Sequence, residues 1–157
     1  MDLSTAQQRA LELISESPAA VLTTIDASGW PNSRAMLNLR NEGRYPDLVP
    51  FFRPYRQDFR IFFTTNTSSE KVRQIEQNNK ASIYYCSPSE WRGLMLGGTI
   101  SVVSDPALKQ AIWQNEWTMY YPGGVQDPDN AILCMIPSIA KYYESLDSAV
   151  WNPVQKV

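Results

Sequence analysis

The segment "FTTNTSSEK", residues 63–71, places five hydroxyl side chains and a lysine where an apolar strand pattern changes to a helical one. Thr67 and Glu70 have the spacing of a capping box, which needs only one hydroxyl to start the helix. The free amides of a helix N-terminus also favour an anion, and Lys71 in the first turn is unfavourable unless an anion lies beside it. The segment therefore predicts either a simple helix cap or a phosphate site.

Arg34 is a second side chain that could hold a phosphate. It lies in "PNSRAMLNLR", residues 31–40, among mostly small and apolar neighbours, of which Met36 and Leu37 are expected in the core. Such an arginine either faces solvent on an edge strand or turns its planar guanidinium toward an oxyanion. Arg34 and Lys71 on one phosphate would be a more specific site than either alone, and the fold decides whether they meet.

The composition excludes several kinds of catalysis. The chain has no histidine, which excludes Ser-His-Asp and Cys-His catalysis and histidine-ligated zinc or haem. Cys86 and Cys134 lie in apolar, strand-like segments and are too few for a disulfide framework or a thiolate metal site. If the protein is an enzyme, its chemistry should come from a bound cofactor rather than from a metal.

The chain is expected to be one domain over residues 1–157. It has no apolar run of transmembrane length, and its N-terminus lacks the pattern of a secretory signal. Its 14 basic and 16 acidic residues make no overall field for nucleic acid or anionic membranes. We therefore expect a cytoplasmic protein that binds neither.

The elements that must position these residues are mostly strands. An amphipathic helix is expected within residues 1–17, with Ser4 and Gln7 as its capping box, and a second over 106–121 after Asp105. Strands are predicted at 19–25, 31–40, 61–66, 80–87, 93–104, 131–136 and 140–146. Residues 41–58, with three prolines, are expected to be an irregular loop, and residues 146–157 a C-terminal tail. This pattern predicts a mainly β fold, a small barrel that is closed or nearly closed, with flanking helices.

Four blocks of the sequence resemble the pyridoxamine 5'-phosphate oxidase-like family, especially its short members called general stress proteins. The blocks are "GWPNSRAMLNL", "FFTTNTSSEKVRQIEQNNKASIYY", "WRGLMLGGTISVVSD" and "MIPSIAKYYES". The resemblance runs from about residue 10 to 145 and implies a six-stranded split barrel that binds FMN at a homodimer interface.

The resemblance also implies which residues would bind FMN. Arg34 and Lys71 would hold the phosphate, with hydroxyl contacts from Thr65 and Ser69. The remaining matching positions are the backbone of Ala35, Met36, Leu37 and Asn38 beside the isoalloxazine edge, Thr64 against the flavin, Arg92 reaching it from the partner subunit, and the late aromatic Tyr143.

Two departures from the oxidase limit what the resemblance implies about activity. Glu70 stands where the oxidase has a basic residue, and the oxidase's C-terminal Arg-x-His element has no counterpart. The expected activity is therefore not pyridoxamine 5'-phosphate oxidation but electron transfer from a reduced nicotinamide or similar donor to a small acceptor. The alternatives are a flavin-binding, stress-related protein without turnover and a deazaflavin-dependent reductase of the same fold.

Overall fold

Seven antiparallel strands form one sheet in this protein, for which a computed structural model describes residues 1–153. They are β1 Ala19–Ile25, β2 Pro31–Leu37, β3 Ile61–Asn66, β4 Lys80–Ser87, β5 Arg92–Val103, β6 Asn130–Glu144 and β7 Asp147–Trp151. Six lie in the order β2-β1-β4-β5-β6-β3, and β7 pairs with β6. Within the described residues no ladder joins β2 to β3, so the barrel is open along a seam between them. The expected six-stranded split barrel is confirmed, with β7 as an added strand.

Within residues 1–153, four α-helices flank the sheet: α1 Leu3–Glu16, α2 Val49–Phe52, α3 Glu70–Gln77 and α4 Pro106–Ile112. The predicted capping box of α1 is wrong, because Asp2 is the N-cap and its carboxylate accepts from the Thr5 amide at 3.0 Å. One face of α1 packs on the barrel core through Ala6, Ala10, Leu13 and Ile14. This core includes Leu22, Phe63, Ile83, Leu94, Leu96, Leu133 and Met135 from the strands.

A second apolar cluster covers the outer side of β3 and β6. The 41–58 segment contributes to it and is not irregular as predicted, since α2 is preceded by a 3-10 turn at Pro46–Leu48 and followed by one at Arg53–Tyr55. The helix after Asp105 begins as predicted but ends at Ile112, before a 3-10 turn at Asn115–Met119. The cluster's largest members are Tyr45, Phe52, Phe62, Trp117 and Tyr121. Two further 3-10 turns lie at Pro88–Glu90 and Gly124–Gln126.

The C-terminal third differs from the prediction in its strands. Residues 130–144 form one long strand rather than two. Pro137 pairs with Gly98 of β5, where the register of the two strands shifts between Gly97 and Gly98. A Cβ on Gly98 would collide with the Ile136 carbonyl oxygen, so this close approach requires glycine. The predicted tail at 146–157 instead contributes β7 at 147–151, while 154–157 lie outside the described residues.

Candidate functional site

The connection between β3 and α3 is held by one carboxylate. Asp129 accepts hydrogen bonds from Asn66 Nδ2 at 2.6 Å, Thr67 Oγ1 at 2.8 Å and the Ser68 amide at 2.9 Å. These bonds hold the pKa of Asp129 well below its usual range, the bond from Asn66 having the largest effect. Thr67 is therefore not the cap of α3, and the predicted capping box with Glu70 is wrong.

Ser69 is the N-cap residue of α3, but its hydroxyl does not cap the helix. Its backbone is extended, as an N-cap requires, yet its side chain makes no capping hydrogen bond. Ser69 Oγ is buried and has no partner in the described part of the chain. A buried hydroxyl without a partner is unfavourable, so Ser69 Oγ is available to hydrogen-bond a ligand or a water.

The two predicted cations lie near this helix start. Lys71, in the first turn of α3, donates to Thr65 Oγ1 at 3.2 Å, and Arg34 on β2 donates to Thr24 Oγ1 at 2.6 Å. Burial first, and then repulsion by the Arg34 guanidinium, lower the pKa of Lys71. Burial lowers the pKa of Arg34 too, against the attraction of Glu70. Since neither cation forms a salt bridge among the described residues, both charges are free for an anion.

Gln74 and Thr24 complete the group and were missed from the sequence. The side-chain oxygen of Gln74, Oε1, accepts from Arg34 at 3.2 Å and from Thr24 Oγ1 at 2.5 Å. Gln74 Nε2 is buried and lacks a partner within residues 1–153. Its position three residues after Lys71, on the same side of a helix, was the signal that could have found it. Nothing in the pattern of β1 marked Thr24.

The site lies at the open seam of the barrel, because Arg34 belongs to β2 and Thr65 to β3, the two strands that border it. Side chains alternate along β3, so Thr65 faces inward and Thr64 faces the other way. Thr64 Oγ1 hydrogen-bonds Tyr121 Oη at 3.1 Å on that outer side. The structure therefore brings Arg34, Thr65, Ser69 and Lys71 together and leaves Thr64 outside the group.

The four predicted backbone positions have different surroundings. Ala35 and Leu37 lie on the outer face of β2, whereas Met36 is a core residue and Asn38 follows the strand. The side-chain amide nitrogen of Asn38 donates to the Ile14 backbone carbonyl at 2.7 Å, so this side chain holds α1 in place. Since β2 ends the sheet on this side, its outer edge has unpaired backbone groups. Their alignment with a flavin edge stays a prediction.

Arg92 and Tyr143 belong to a different part of the molecule. Arg92 is almost fully buried and pairs with Glu16 at 3.0 Å and Glu90 at 2.9 Å. The Tyr143 hydroxyl shares a 2.8 Å hydrogen bond with that of Tyr84. Within one chain, neither residue bonds to the group at the seam. A role for them at that site would require a second subunit, which stays a prediction.

Comparisons with known proteins agree with this architecture. The family described as "Pyridoxamine 5'-phosphate oxidase like" matches residues 5–156. A structure from Clostridium acetobutylicum, described as a protein related to general stress protein 26 of B. subtilis, is 29% identical. It has a TM-score of 0.76, with 97% of this chain and 96% of that chain covered. No curated protein matches.

Two more distant structures share the fold and are described by what they bind. A pyridoxamine 5'-phosphate oxidase-related, FMN-binding protein from Nostoc punctiforme is 18% identical, with a TM-score of 0.60 over 96% of this chain and 91% of that chain. A heme-binding protein from Mycobacterium smegmatis is 12% identical, with a TM-score of 0.67 over 94% of this chain and 58% of that chain. At these identities they support the fold alone.

Proposed function

The chain belongs to the pyridoxamine 5'-phosphate oxidase-like family, and we propose that it is an FMN-binding oxidoreductase acting on small molecules in the cytoplasm. The observation that carries this proposal is the group at the seam. Arg34 and Lys71, neither of them in a salt bridge, converge there with the buried, unpartnered hydroxyl of Ser69. Two cations and free hydrogen-bonding groups are what a dianionic phosphate needs.

The chain's own residues would bind and orient the cofactor. Lys71 and Arg34 would neutralise the phosphate, while the hydroxyls of Ser69 and Thr65 would fix its position. FMN, when bound, would accept a hydride from a reduced nicotinamide or similar donor and pass electrons to a small acceptor. With no histidine in the chain, the protein's contribution would be positioning and charge rather than imidazole acid-base chemistry.

We further propose that the protein is a homodimer with FMN at the interface. On the outer face of the sheet Val21, Met95 and Ile139 are half-buried, Tyr143 is exposed, and the helices α1 and α3 pack elsewhere. A broad sheet face with such side chains is suited to a second copy of the chain. Tyr143 would then lie at the interface beside the partner's cofactor, whereas Arg92 would reach that cofactor only after leaving Glu16 and Glu90.

An absorption spectrum of the purified protein, with mass spectrometry of whatever it releases, tests the proposal. A flavin spectrum with extracted FMN, bleached by NADH or NADPH and restored by a quinone, supports an oxidoreductase. Bound FMN that no donor reduces would indicate a flavin-binding protein without turnover. A deazaflavin in the extract, a haem spectrum, or failure to take up added FMN would contradict the cofactor assignment.

A further inference from the structure

A cavity of about 180 Å³ lies away from the seam, between the C-terminal half of α1 and the segment that follows β2. It shares no lining residue with the Arg34–Lys71 group. Much of its wall is apolar, formed by Leu11, Leu39, Val49 and Phe52. The one buried charged side chain on this wall is Arg40, which is 8% exposed.

Arg40 is a buried cation without a counterion. Its only side-chain hydrogen bond among residues 1–153 runs from Nη1 to the Arg60 carbonyl oxygen at 3.4 Å, which is long. Its guanidinium also lies 5.6 Å from the centre of the Phe52 ring, and it forms no salt bridge with the described carboxylates. A guanidinium has five N–H donors, so most of its hydrogen-bonding capacity is unused. Burying such a group is unfavourable unless an anion completes it.

The entrance to the cavity is also positively charged. Arg53 and Arg56 line it and are exposed, and among the residues that the structure describes Glu42 is the only acidic one in its lining. Asp58, the other nearby carboxylate, is paired with Arg60 at 3.3 Å. The charge balance therefore favours entry of an anion over that of a cation.

Hydrogen bonds to the end of α1 fix the cavity wall. The Asn41 amide side chain donates to the Ser17 carbonyl at 2.9 Å, and the Glu42 backbone amide donates to the Ser15 carbonyl at 3.1 Å. Together with the bonds of Asn38 to α1, these contacts hold the start of the 41–58 segment against the helix. The cavity is thus preformed, which reduces the ordering that binding requires.

We propose that this cavity binds a small monocarboxylate with an apolar body, whose carboxylate pairs with Arg40. The planar guanidinium matches a carboxylate in a bidentate geometry, and the apolar wall suits a short aliphatic or aromatic group. A single buried cation fits a monoanion better than a dianionic phosphate. The cavity volume of about 180 Å³ is below the usual range of cofactor pockets, so the site suits a ligand smaller than a flavin.

Benzoate is a suitable probe, with benzamide as its neutral analogue. Isothermal titration calorimetry on the purified protein should show benzoate binding and much weaker benzamide binding. Arg40→Met should weaken benzoate roughly tenfold or more, because a charge-assisted pair is lost. Lys80→Met removes an exposed cation that forms no salt bridge in the described part of the chain, and it should leave benzoate affinity unchanged.

Methyl NMR on the wild-type chain tests the location even if Arg40→Met does not fold. Benzoate should shift the methyl resonances of Leu11, Leu39 and Val49, whereas benzamide should not. Absence of binding, shifts confined to other methyls, or equal affinity of Arg40→Met would overturn the proposal. If inorganic phosphate shifts these methyls as strongly as benzoate, the carboxylate assignment is wrong. None of these outcomes depends on whether the seam binds FMN.

Discussion

Replacing Lys71 with methionine should weaken FMN binding while changing the stability of the FMN-free protein little. The Lys71 ammonium makes one hydrogen bond, to Thr65 Oγ1 at 3.2 Å, and its loss removes about 0.5–1.5 kcal/mol. The same substitution also removes two unfavourable effects, the burial of the Lys71 charge and its repulsion by Arg34. These are the two causes that lower the pKa of Lys71. These effects oppose each other, so the melting temperature should shift by no more than about 4 °C.

FMN binding should respond much more strongly to the same substitution. A lysine paired with a phosphate makes a charge-assisted bond worth about 1.5–3 kcal/mol, which corresponds to roughly a tenfold to hundredfold loss of affinity. Methionine preserves the apolar length of the lysine side chain, so the comparison isolates the charge. Titration of FMN fluorescence with the FMN-free wild type and variant would measure the two dissociation constants.

Lys80→Met is the matched control, since this exposed lysine at the start of β4 forms no salt bridge within residues 1–153. It should bind FMN like the wild type. The assignment of Lys71 to the phosphate is refuted if Lys71→Met binds FMN as tightly as Lys80→Met does. It is also refuted if Lys71→Met loses FMN only because the FMN-free protein has unfolded.

Three other substitutions test neighbouring parts of the structure. Ser69→Ala should leave the melting temperature of the FMN-free protein unchanged or higher, because its hydroxyl is buried without a partner, yet weaken FMN by roughly threefold to tenfold in the same titration. Gly98→Ala should lower the unfolding free energy by about 1–3 kcal/mol in urea, because its Cβ would collide with the Ile136 backbone carbonyl oxygen, while Gly43→Ala should not. Asp129→Asn should destabilise the protein at neutral pH. The pKa of Asp129 is lower in the folded than in the unfolded protein. The stability that its carboxylate contributes is therefore present above about pH 4 and is lost as the pH falls toward the folded pKa. Melting curves should therefore show wild type and Asp129→Asn converging in acid, and a constant difference would contradict the assignment.

The strand pattern was predictable wherever one strand face is buried, because alternation then follows from the sequence. The hairpin of β1 and β2 was found in this way, whereas the start of α4 was found from its N-cap Asp105 and the proline that follows it. The single strand over 130–144 was not, since Pro137 normally interrupts a strand and only its pairing with the register shift at Gly98 lets the strand continue. Such pairing depends on a neighbour distant in sequence.

The candidate site was predictable in its charges but not in its geometry. Arg34 and Lys71 were identified from residue type and local context alone. That Thr65 faces the site while Thr64 faces Tyr121 depends on the register of β3 against β6. Arg92 is held by Glu90, two residues before it, and by Glu16 of α1, a partner distant in sequence that no local pattern indicates.

The five hydroxyls of residues 63–71 divide into two sets by their partners. Thr64, Thr67 and Ser68 bond to side chains of the 121–130 segment, so their substitution should act mainly through folding. Thr65 accepts only from Lys71, and Ser69 has no partner in the described chain. A segment needed only to start a helix would use the hydroxyl of its N-cap residue for that purpose. Because the N-cap hydroxyl is the unused one, a helix start and the proposed phosphate site are compatible: the backbone of Ser69 begins the helix, and its side chain is left for the proposed anion.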